Sequence, residues 1–183
     1  MADDKVADDN VTGGEAALAF IGRAVNEVVD RLGDVDRQAM EMVLLLHRVT
    51  NVIVYDLEST VHRPAGWSWS AFRAVFTLWV SGGLEPSKLA ELSGMSRQAV
   101  SALARTLQAD GLIDRVAVVD DGRSVLLSLT LDGRSRIEQV FRHHNARERE
   151  WAAALSPAER ITLTKLLGKL ASAGQQPWVS HRF

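Results

Sequence analysis

The helical segment that follows Ser96 has an apolar side and a polar side. The apolar side repeats at i, i+3, i+4 and i+7, and consists of Val100, Leu103, Ala104 and Leu107. The opposite side carries Arg97, Gln98, Ser101 and Arg105, beside the small Ala102. No acidic residue lies between Gly94 and Ala109. Glutamine pairs with adenine, arginine with guanine or phosphate, and serine with either, so this side predicts contacts to double-stranded DNA. The alternative is an ordinary amphipathic helix.

A polar turn further along the chain adds a second group of candidate contacts. Asp120-Asp121-Gly122 is a typical hairpin turn, and Arg123 directly after it is expected to place its guanidinium in the minor groove. We expect Asp121 to orient Arg123 or Arg115 through a charge-assisted hydrogen bond. The turn is also explained by hairpin formation alone. The predicted DNA-binding set is completed by Ser87, Lys88, Ser96 and Ser124.

Aromatic residues concentrate at a junction between a loop and a helix. Trp67, Trp69 and Phe72 lie close in sequence to three polar side chains, those of Tyr55, His62 and Arg63. Core packing is the default explanation for such aromatics. Apolar walls with a few polar groups also suit a small aromatic or anionic effector, and these six residues are the candidate effector site.

Catalytic and metal-binding patterns are weak. Gly66 to Ser70 reads GWSWS, which resembles a nucleophile elbow, but the last position is not glycine and no preceding strand is evident. Glu58 and His62 are spaced i, i+4, and His143-His144 adjoin on another predicted helix, where adjacent side chains point to different faces. The chain has no cysteine. We therefore expect no enzyme activity, no metal and no cofactor; a small hydrolase is the least favoured alternative.

Apolar spacing and capping residues predict the elements that hold these groups. Residues 16–32 form a helix, and Asp36 caps a longer one through about Val61 whose apolar positions cover over half its circumference. Ser70 or Ser68 caps the next, which ends at Gly82-Gly83. The next predicted helix has Pro86 in its first turn and is followed by a turn at Gly94. After this turn we expect a helix that is capped by Ser96 and ended by Gly111, and then a hairpin of residues 116–119 and 125–129.

Two further helices are predicted after the hairpin. The first covers residues 132–155. The second begins with Ser156-Pro157-Ala158-Glu159, which combines a cap, a proline at the first helical position and a glutamate that bonds back to the cap. Its buried stripe is predicted to be Leu163, Leu166, Leu167 and Leu170.

The order helix, glycine turn, helix, hairpin is that of a winged helix-turn-helix, whose second helix enters the major groove. The segment resembles the MarR family of bacterial transcriptional regulators. The matching stretches are LAELSGMS from Leu89, VSAL from Val100, LQADGLIDR from Leu107, DGR from Asp121 and LSLTLDG from Leu127. The resemblance implies a homodimer that binds a pseudo-palindromic operator and often releases DNA when a small molecule binds. This wing looks short and lacks the usual proline near its tip, and residues 16–32 are an addition of unknown role.

These observations predict a mostly α fold with a small β-hairpin wing, a winged helix-turn-helix plus a helical dimerisation region. Residues 1–14 form a disordered acidic tail, 15–65 N-terminal dimerisation helices, 66–131 the winged helix-turn-helix, 132–175 C-terminal dimerisation helices and 176–183 a tail. We expect a ligand-responsive repressor that acts as a homodimer. A winged-helix module that contacts only proteins is the alternative.

Composition and charge indicate where the protein is located better than they indicate what it does. The formal net charge of −2 gives no support for DNA binding by itself. The longest apolar concentration, residues 40–54, is too short and too charged to span a membrane, and the acidic N-terminus is not a signal peptide. We therefore expect a cytoplasmic protein with no membrane partner.

Overall fold

The computed structural model describes residues 4–117, 125–174 and 176–179. The chain divides into two compact units, Met1–Val54 and Tyr55–Phe183. Helix α1 covers Asp4–Leu32 and α2 covers Arg37–Leu57, so the first unit holds α1 and most of α2. Asp36 caps α2 as predicted, because its Oδ1 accepts a hydrogen bond from the Ala39 amide at 3.0 Å.

Helix α1 begins well before the predicted start at Ala16. The prediction of a disordered tail through Gly14 therefore differs from the structure, in which residues 4–14 are helical. Composition predicted the tail because the stretch has too little apolar surface to fold alone. A helix already formed at residues 16–32 can extend by one backbone hydrogen bond per residue without a new nucleation step, and composition does not register this.

Helix α2 ends at Leu57, earlier than the predicted Val61, and a π-helical turn covers Glu58–His62. In this turn the Arg63 amide donates to the Glu58 carbonyl at 2.8 Å. The acceptor is five residues before the donor, whereas in an α-helix it is four residues before. The Thr60 hydroxyl donates to the Asp56 carbonyl at 2.7 Å and so competes for an α-helical acceptor.

Three helices form the centre of the second unit. Helix α3 covers Trp69–Ser81, α4 covers Pro86–Ser93 and α5 covers Arg97–Ala109. Of the two predicted caps for α3, Ser68 is the one used, because its side chain accepts from the Ala71 amide at 3.1 Å. Gly94, between α4 and α5, has φ of +64°, the left-handed conformation that the predicted tight turn requires.

The hairpin consists of β1, Ile113–Ala117, and β2, Val125–Leu129, paired antiparallel with Ile113 opposite Leu129. Strand β1 begins earlier than the predicted residue 116, because Ile113 is 1% exposed and packs in the core. Leu84, before α4, adds a bridge to Leu127 through two backbone hydrogen bonds of 3.0 and 2.8 Å. Residues 118–124 lie outside the described part of the chain.

Helix α6 covers Leu131–Ala152 and is attached to the hairpin by a compact junction. The Thr130 side chain caps α6 by accepting from the Gly133 amide at 2.9 Å, and its hydroxyl donates to the Gly111 carbonyl at 2.7 Å. A Cβ atom on Gly133 would lie 2.0 Å from the Leu112 carbonyl oxygen. The T-x-x-G part of the sequence motif therefore joins α6 closely to the turn between α5 and β1.

Helix α7 covers Pro157–Ala173 and begins with the predicted capping box at Ser156. The prediction that its leucines form a buried stripe is wrong for the single chain. Leu163, Leu166, Leu167 and Leu170 are 41–51% exposed, and Ile161 is 72% exposed. Periodicity identifies the apolar side of a helix but not whether the same chain covers it.

The core of the second unit lies among α3, α4, α5, the hairpin and the start of α6. Its most deeply buried residues are Val75, Leu78, Leu89, Val100, Leu112, Ile113, Leu127 and Ile137, each at most 2% exposed. This core fixes the position of α5 relative to α3 and the hairpin.

Candidate nucleic-acid interface

Helix α5 has the two sides that its sequence predicts. Val100, Ala104 and Leu107 are at most 3% exposed and face the core. The opposite side is exposed and consists of Arg97, Gln98, Ser101, Ala102 and Arg105. Within the described part of the chain, none of these side chains makes an ion pair with an acidic residue. The hydrogen-bonding groups of this surface are therefore available to a ligand.

The first turn of α5 meets the first turn of α4 across a concave surface. Five of the predicted DNA-binding residues line it together: Ser87, Lys88, Ser96, Arg97 and Gln98. Ser101 and Arg105 continue the same exposed side of α5. The Ser96 oxygen accepts from the Ala99 amide at 3.1 Å, so its first task is to cap the helix. The surface thus combines the start of one helix with the outer side of another.

Two acidic residues lie at this concave surface, and only one of them was part of the sequence motif. Glu91 accepts a hydrogen bond from Lys88 Nζ at 2.7 Å, and Glu85 precedes α4. Both side chains of the Lys88–Glu91 pair are half exposed or more, so the pair is weak in water and can separate at little cost. The ammonium group of Lys88 can therefore exchange Glu91 for another anionic group at little cost.

The hairpin makes a side-chain hydrogen bond to the last turn of α5. Arg115 on β1 donates from Nε to Gln108 Oε1 on α5 at 3.2 Å. Arg115 was one of the two arginines, with Arg123, that Asp121 was expected to orient, and the sequence did not indicate Gln108 as its partner. Asp121, Arg123 and Ser124 lie outside the described residues, so their predicted roles remain predictions.

The six candidate effector residues separate into three sets. His62, Trp69 and Phe72 lie together, with the His62 ring stacked on Phe72 at 4.2 Å and on Trp69 at 5.5 Å between centroids. Trp67 is buried, and Arg136 lies 5.8 Å above its ring. Tyr55 is 67% exposed, and Arg63 is exposed and lies 3.8 Å from Glu58. The structure therefore places neither Tyr55 nor Arg63 in the aromatic cluster.

A cleft of about 350 Å³ opens beside this cluster. Its aromatic walls are Trp69, Phe72, Phe76 and Phe141, and its polar lining is Arg73, Thr77, Ser93, His144 and Glu148. Sequence reasoning missed the residues from α6, because nothing in the chain pairs positions so far apart. Helical spacing from Trp69 through Phe72 to Arg73 and Phe76 was the only available signal for the residues on α3.

Arg73 is the cationic group of the cleft. Burial lowers the pKa of its guanidinium, which means that the cation is incompletely solvated. Within the described residues it makes neither a salt bridge nor a hydrogen bond through its side chain. A Cβ atom on Gly94 would lie 2.8 Å from Arg73 Nη2, so the guanidinium lies directly against the turn between α4 and α5.

Two further properties bear on function. In residues 4–117, 125–174 and 176–179, no helix is both long and apolar enough to cross a membrane. No group of three or more His, Cys, Asp or Glu side chains in that part of the chain is placed to hold a metal ion.

Comparisons with known proteins agree on one family. Residues 67–125 match the sequence profile of the MarR family. The HTH-type transcriptional regulator YwaE of Bacillus subtilis is 32% identical over 134 residues, which are 73% of this chain and 78% of YwaE. The HTH-type transcriptional repressor Rv2887 of Mycobacterium tuberculosis is 31% identical over 131 residues, 70% of this chain and 91% of that protein.

Solved structures support the same assignment. A probable transcriptional regulator from Pseudomonas aeruginosa superimposes with a TM-score of 0.63 at 26% identity, covering 70% of this chain and 96% of that one. The Rv2887 structure, a complex with salicylic acid, superimposes with a TM-score of 0.58 at 28% identity, covering 69% and 93%. These relatives are regulators and not enzymes, as the sequence predicted. The chain belongs to the MarR family of DNA-binding transcriptional regulators.

Proposed function

We propose that the protein is a repressor that binds a pseudo-palindromic operator as a homodimer and is released by a small effector. The observation that carries the proposal is the exposed, acid-free side of α5, with Arg97, Gln98, Ser101 and Arg105 at the surface and Val100 in the core. These groups match the donors and acceptors of base edges in the major groove. A module that contacts only proteins has no need of this set on one side of a helix.

The proposed homodimer rests on apolar surface that the chain leaves exposed. Four leucines of α7, Leu163, Leu166, Leu167 and Leu170, form a stripe that is 41–51% exposed, and Val43 and Val49 of α2 are at least 50% exposed. Isolated apolar side chains at a surface need no explanation, but a continuous helical stripe favours a protein contact. A two-fold dimer presents two copies of α5 to two half-sites about one helical turn apart, roughly 34–36 Å.

The experiment that tests operator binding selects duplexes from a random pool with the purified full-length protein. The proposal predicts an inverted repeat among the selected sequences and binding that weakens steeply with salt. Failure to enrich any sequence, with affinity equal for all duplexes, would contradict sequence-specific binding. Light scattering of the same sample at micromolar concentration tests the dimer, and a particle of about one chain's mass would contradict it.

The effector part of the proposal places a planar aromatic acid in the cleft lined by Trp69, Phe72 and Arg73. Four aromatic side chains line it, and Arg73 is an incompletely solvated cation that gains a partner when a carboxylate binds. Rv2887, whose structure holds salicylic acid, is a relative of this chain. Because Arg73 contacts Gly94, a ligand that pulls on the guanidinium acts on the turn that sets the angle between α4 and α5.

Salicylate is a suitable probe, and salicyl alcohol is its uncharged control. We expect salicylate to release the protein from its selected duplex and salicyl alcohol to do so much less. Arg73→Met should weaken salicylate binding about tenfold or more, while Arg63→Met, which changes an exposed arginine outside the cleft, should not. Equal salicylate binding by both variants would show that the cleft does not hold the carboxylate.

A further inference from the structure

Two histidines that are far apart in sequence form a hydrogen bond in the interior of the second unit. His62 Nε2 and His144 Nδ1 are 3.0 Å apart, although the residues are separated by 82 positions. His62 is 0% exposed and His144 is 5% exposed. The bond joins the π-helical turn that leads into α3 to the middle of α6. Neither DNA contact nor the packing of the core requires a titratable pair at this place.

The contacts of the pair determine where its hydrogens lie. His144 Nε2 is 3.2 Å from Glu148 Oε1, so this nitrogen carries the hydrogen. A neutral imidazole has one N–H, and His144 Nδ1 is therefore an acceptor. His62 Nε2 must then be the donor, which leaves His62 Nδ1 with only a lone pair. This atom is buried and has no hydrogen-bond partner within the described residues.

The neutral pair has no room for an additional proton. A proton on His144 Nδ1 meets the N–H of His62 Nε2 and breaks the hydrogen bond. If His62 shifts its hydrogen to keep the bond, or is itself protonated, an N–H appears at Nδ1, where no acceptor exists among the described residues. A buried donor without a partner is costly, and a buried positive charge is more so. Protonation therefore either breaks the hydrogen bond between the turn and α6 or leaves a buried N–H of His62 without a partner, and both outcomes destabilise the contact.

The charged groups around the pair do not remove this effect. Glu148 on α6 favours a proton on His144, and Glu58 on the turn favours one on His62, but burial outweighs both. Arg73 on α3 lines the same cleft as His144 and opposes a second positive charge there. Arg147 on α6 is engaged by Asp56 and Glu150, and Arg63 on the turn by Glu58. Burial lowers the pKa of His62 to about 4, and that of His144 is also lowered.

We propose that the His62–His144 pair is a proton switch: uptake of one proton destabilises the contact between the turn before α3 and helix α6, and operator affinity falls. The inference rests on the proposed operator binding. Its sign follows from the preference for the neutral form in the intact contact. The contact is intact above the ordinary histidine pKa of about 6.5 and is lost progressively as the pH falls toward 4.

The first test measures the pair without DNA. Long-range proton–nitrogen NMR spectra of the full-length protein report the tautomer and the titration of each histidine. We expect both His62 and His144 as Nε2–H tautomers at pH 7.5, with protonation of the pair only well below pH 6.5. Ordinary titration of both near pH 6.5, or an Nδ1–H on His62 at pH 7.5, would overturn the proposal. This result does not depend on operator binding.

The second test measures affinity for the selected duplex at pH 7.5 and pH 5.0. In His62→Gln the amide NH2 can still donate to His144 Nδ1 but cannot take up a proton. We expect wild type to lose at least about tenfold more affinity than His62→Gln on acidification. His143→Gln, an exposed neighbour of His144, should keep the wild-type profile. Equal profiles for all three proteins would overturn the switch.

Because His62 packs in a buried aromatic cluster, His62→Gln is at risk of not folding, and Glu148→Gln provides the alternative. Glu148 has a 46% exposed side chain, so the fold should tolerate the change. Loss of the carboxylate makes protonation of His144 less favourable, so the fall in operator affinity on acidification should occur at lower pH than in wild type. A transition that stays in place or moves to higher pH would contradict the proposal. If no duplex is bound even at pH 7.5, the proposed operator binding fails, and the NMR titration alone decides the switch.

Discussion

Replacement of Gly133 by alanine tests whether the junction between α5 and α6 is as close as the structure indicates. A Cβ atom at this position would lie 2.0 Å from the Leu112 carbonyl oxygen, 2.9 Å from its carbonyl carbon and 3.2 Å from its Cα. All three neighbours are backbone atoms, so no side chain can rotate away. To reach an ordinary contact, α6 and the turn that holds Leu112, between α5 and β1, must separate by more than about 1 Å.

The cost follows from the hydrogen bonds that hold this junction. The Thr130 amide donates to the Leu112 carbonyl at 3.1 Å, and the Thr130 hydroxyl donates to the Gly111 carbonyl at 2.7 Å. Breaking or straining these bonds, at about 1 kcal/mol each, together with looser packing, gives an expected destabilisation of about 2–4 kcal/mol. The gain in helix propensity from glycine to alanine, about 1 kcal/mol, does not offset it.

The assay is urea unfolding followed by circular dichroism, with Gly168→Ala as the matched control. Gly168 is also a helical glycine, in α7, but a Cβ atom there would meet nothing within 4 Å. Gly168→Ala should therefore leave stability unchanged or raise it by up to about 1 kcal/mol. If Gly133→Ala is as stable as Gly168→Ala, the close approach of α6 to Leu112 is refuted.

Three further predictions concern the hydrogen bonds of Asp56 to α6 and the surface predicted to bind DNA. Asp56→Asn should destabilise the protein by about 1–3 kcal/mol, because the Asp56 carboxylate accepts hydrogen bonds from Arg147 Nε and Nη2 at 2.7 and 2.8 Å and from Trp151 Nε1 at 2.7 Å. The control is Asp30→Asn, which changes an exposed aspartate. Equal urea midpoints for the two variants would contradict this role of Asp56. The Arg147 hydrogen bond lowers the pKa of Asp56 below its ordinary value of 3.8, so this stabilisation is present above about pH 4 and disappears as the pH falls through the lowered pKa, which unfolding at pH 2.5–5 can measure. Gln98→Ala should cost about 1–3 kcal/mol on the selected duplex with little change in salt dependence, whereas Arg123→Ala should weaken binding to most sequences and reduce the salt slope by about one for each phosphate that the variant no longer neutralises; wild-type binding by both would contradict the assigned surface.

Local capping signals made most element boundaries predictable. Ser96 and Ser156 begin helices where the sequence predicts, and Gly94 adopts the left-handed turn that separates α4 from α5. A cap depends on residues within three or four positions, so the signal is contained in a short stretch of sequence. The exposed side of α5 was predictable for the same reason, because helical periodicity alone decides which residues share a side.

Features that depend on distant residues were not predictable in this way. The partnership of His62 with His144 and the place of Arg73 against Gly94 arise from packing between helices, for which a single sequence carries no pairing signal. The apolar stripe of α7 was identified correctly, but its burial was not, because periodicity does not distinguish a side that the same chain covers from a side that it leaves exposed. The π-helical turn after Leu57 was missed because hydroxyl bonding to the Asp56 carbonyl changes the helix locally without altering its apolar pattern.

The stoichiometry and affinity of binding to the selected duplex test most directly whether the protein binds DNA as a dimer through the exposed side of α5. Two versions of the duplex are compared by fluorescence anisotropy and sedimentation, one with the full inverted repeat and one with a single half-site. For a dimer that reads both half-sites we expect two chains per full duplex, at least about a hundredfold weaker binding to the half-site, and steep loss of affinity between low and physiological salt. One chain per duplex, with equal affinity for both versions and no salt dependence, would contradict a dimer that reads DNA through the exposed side of α5.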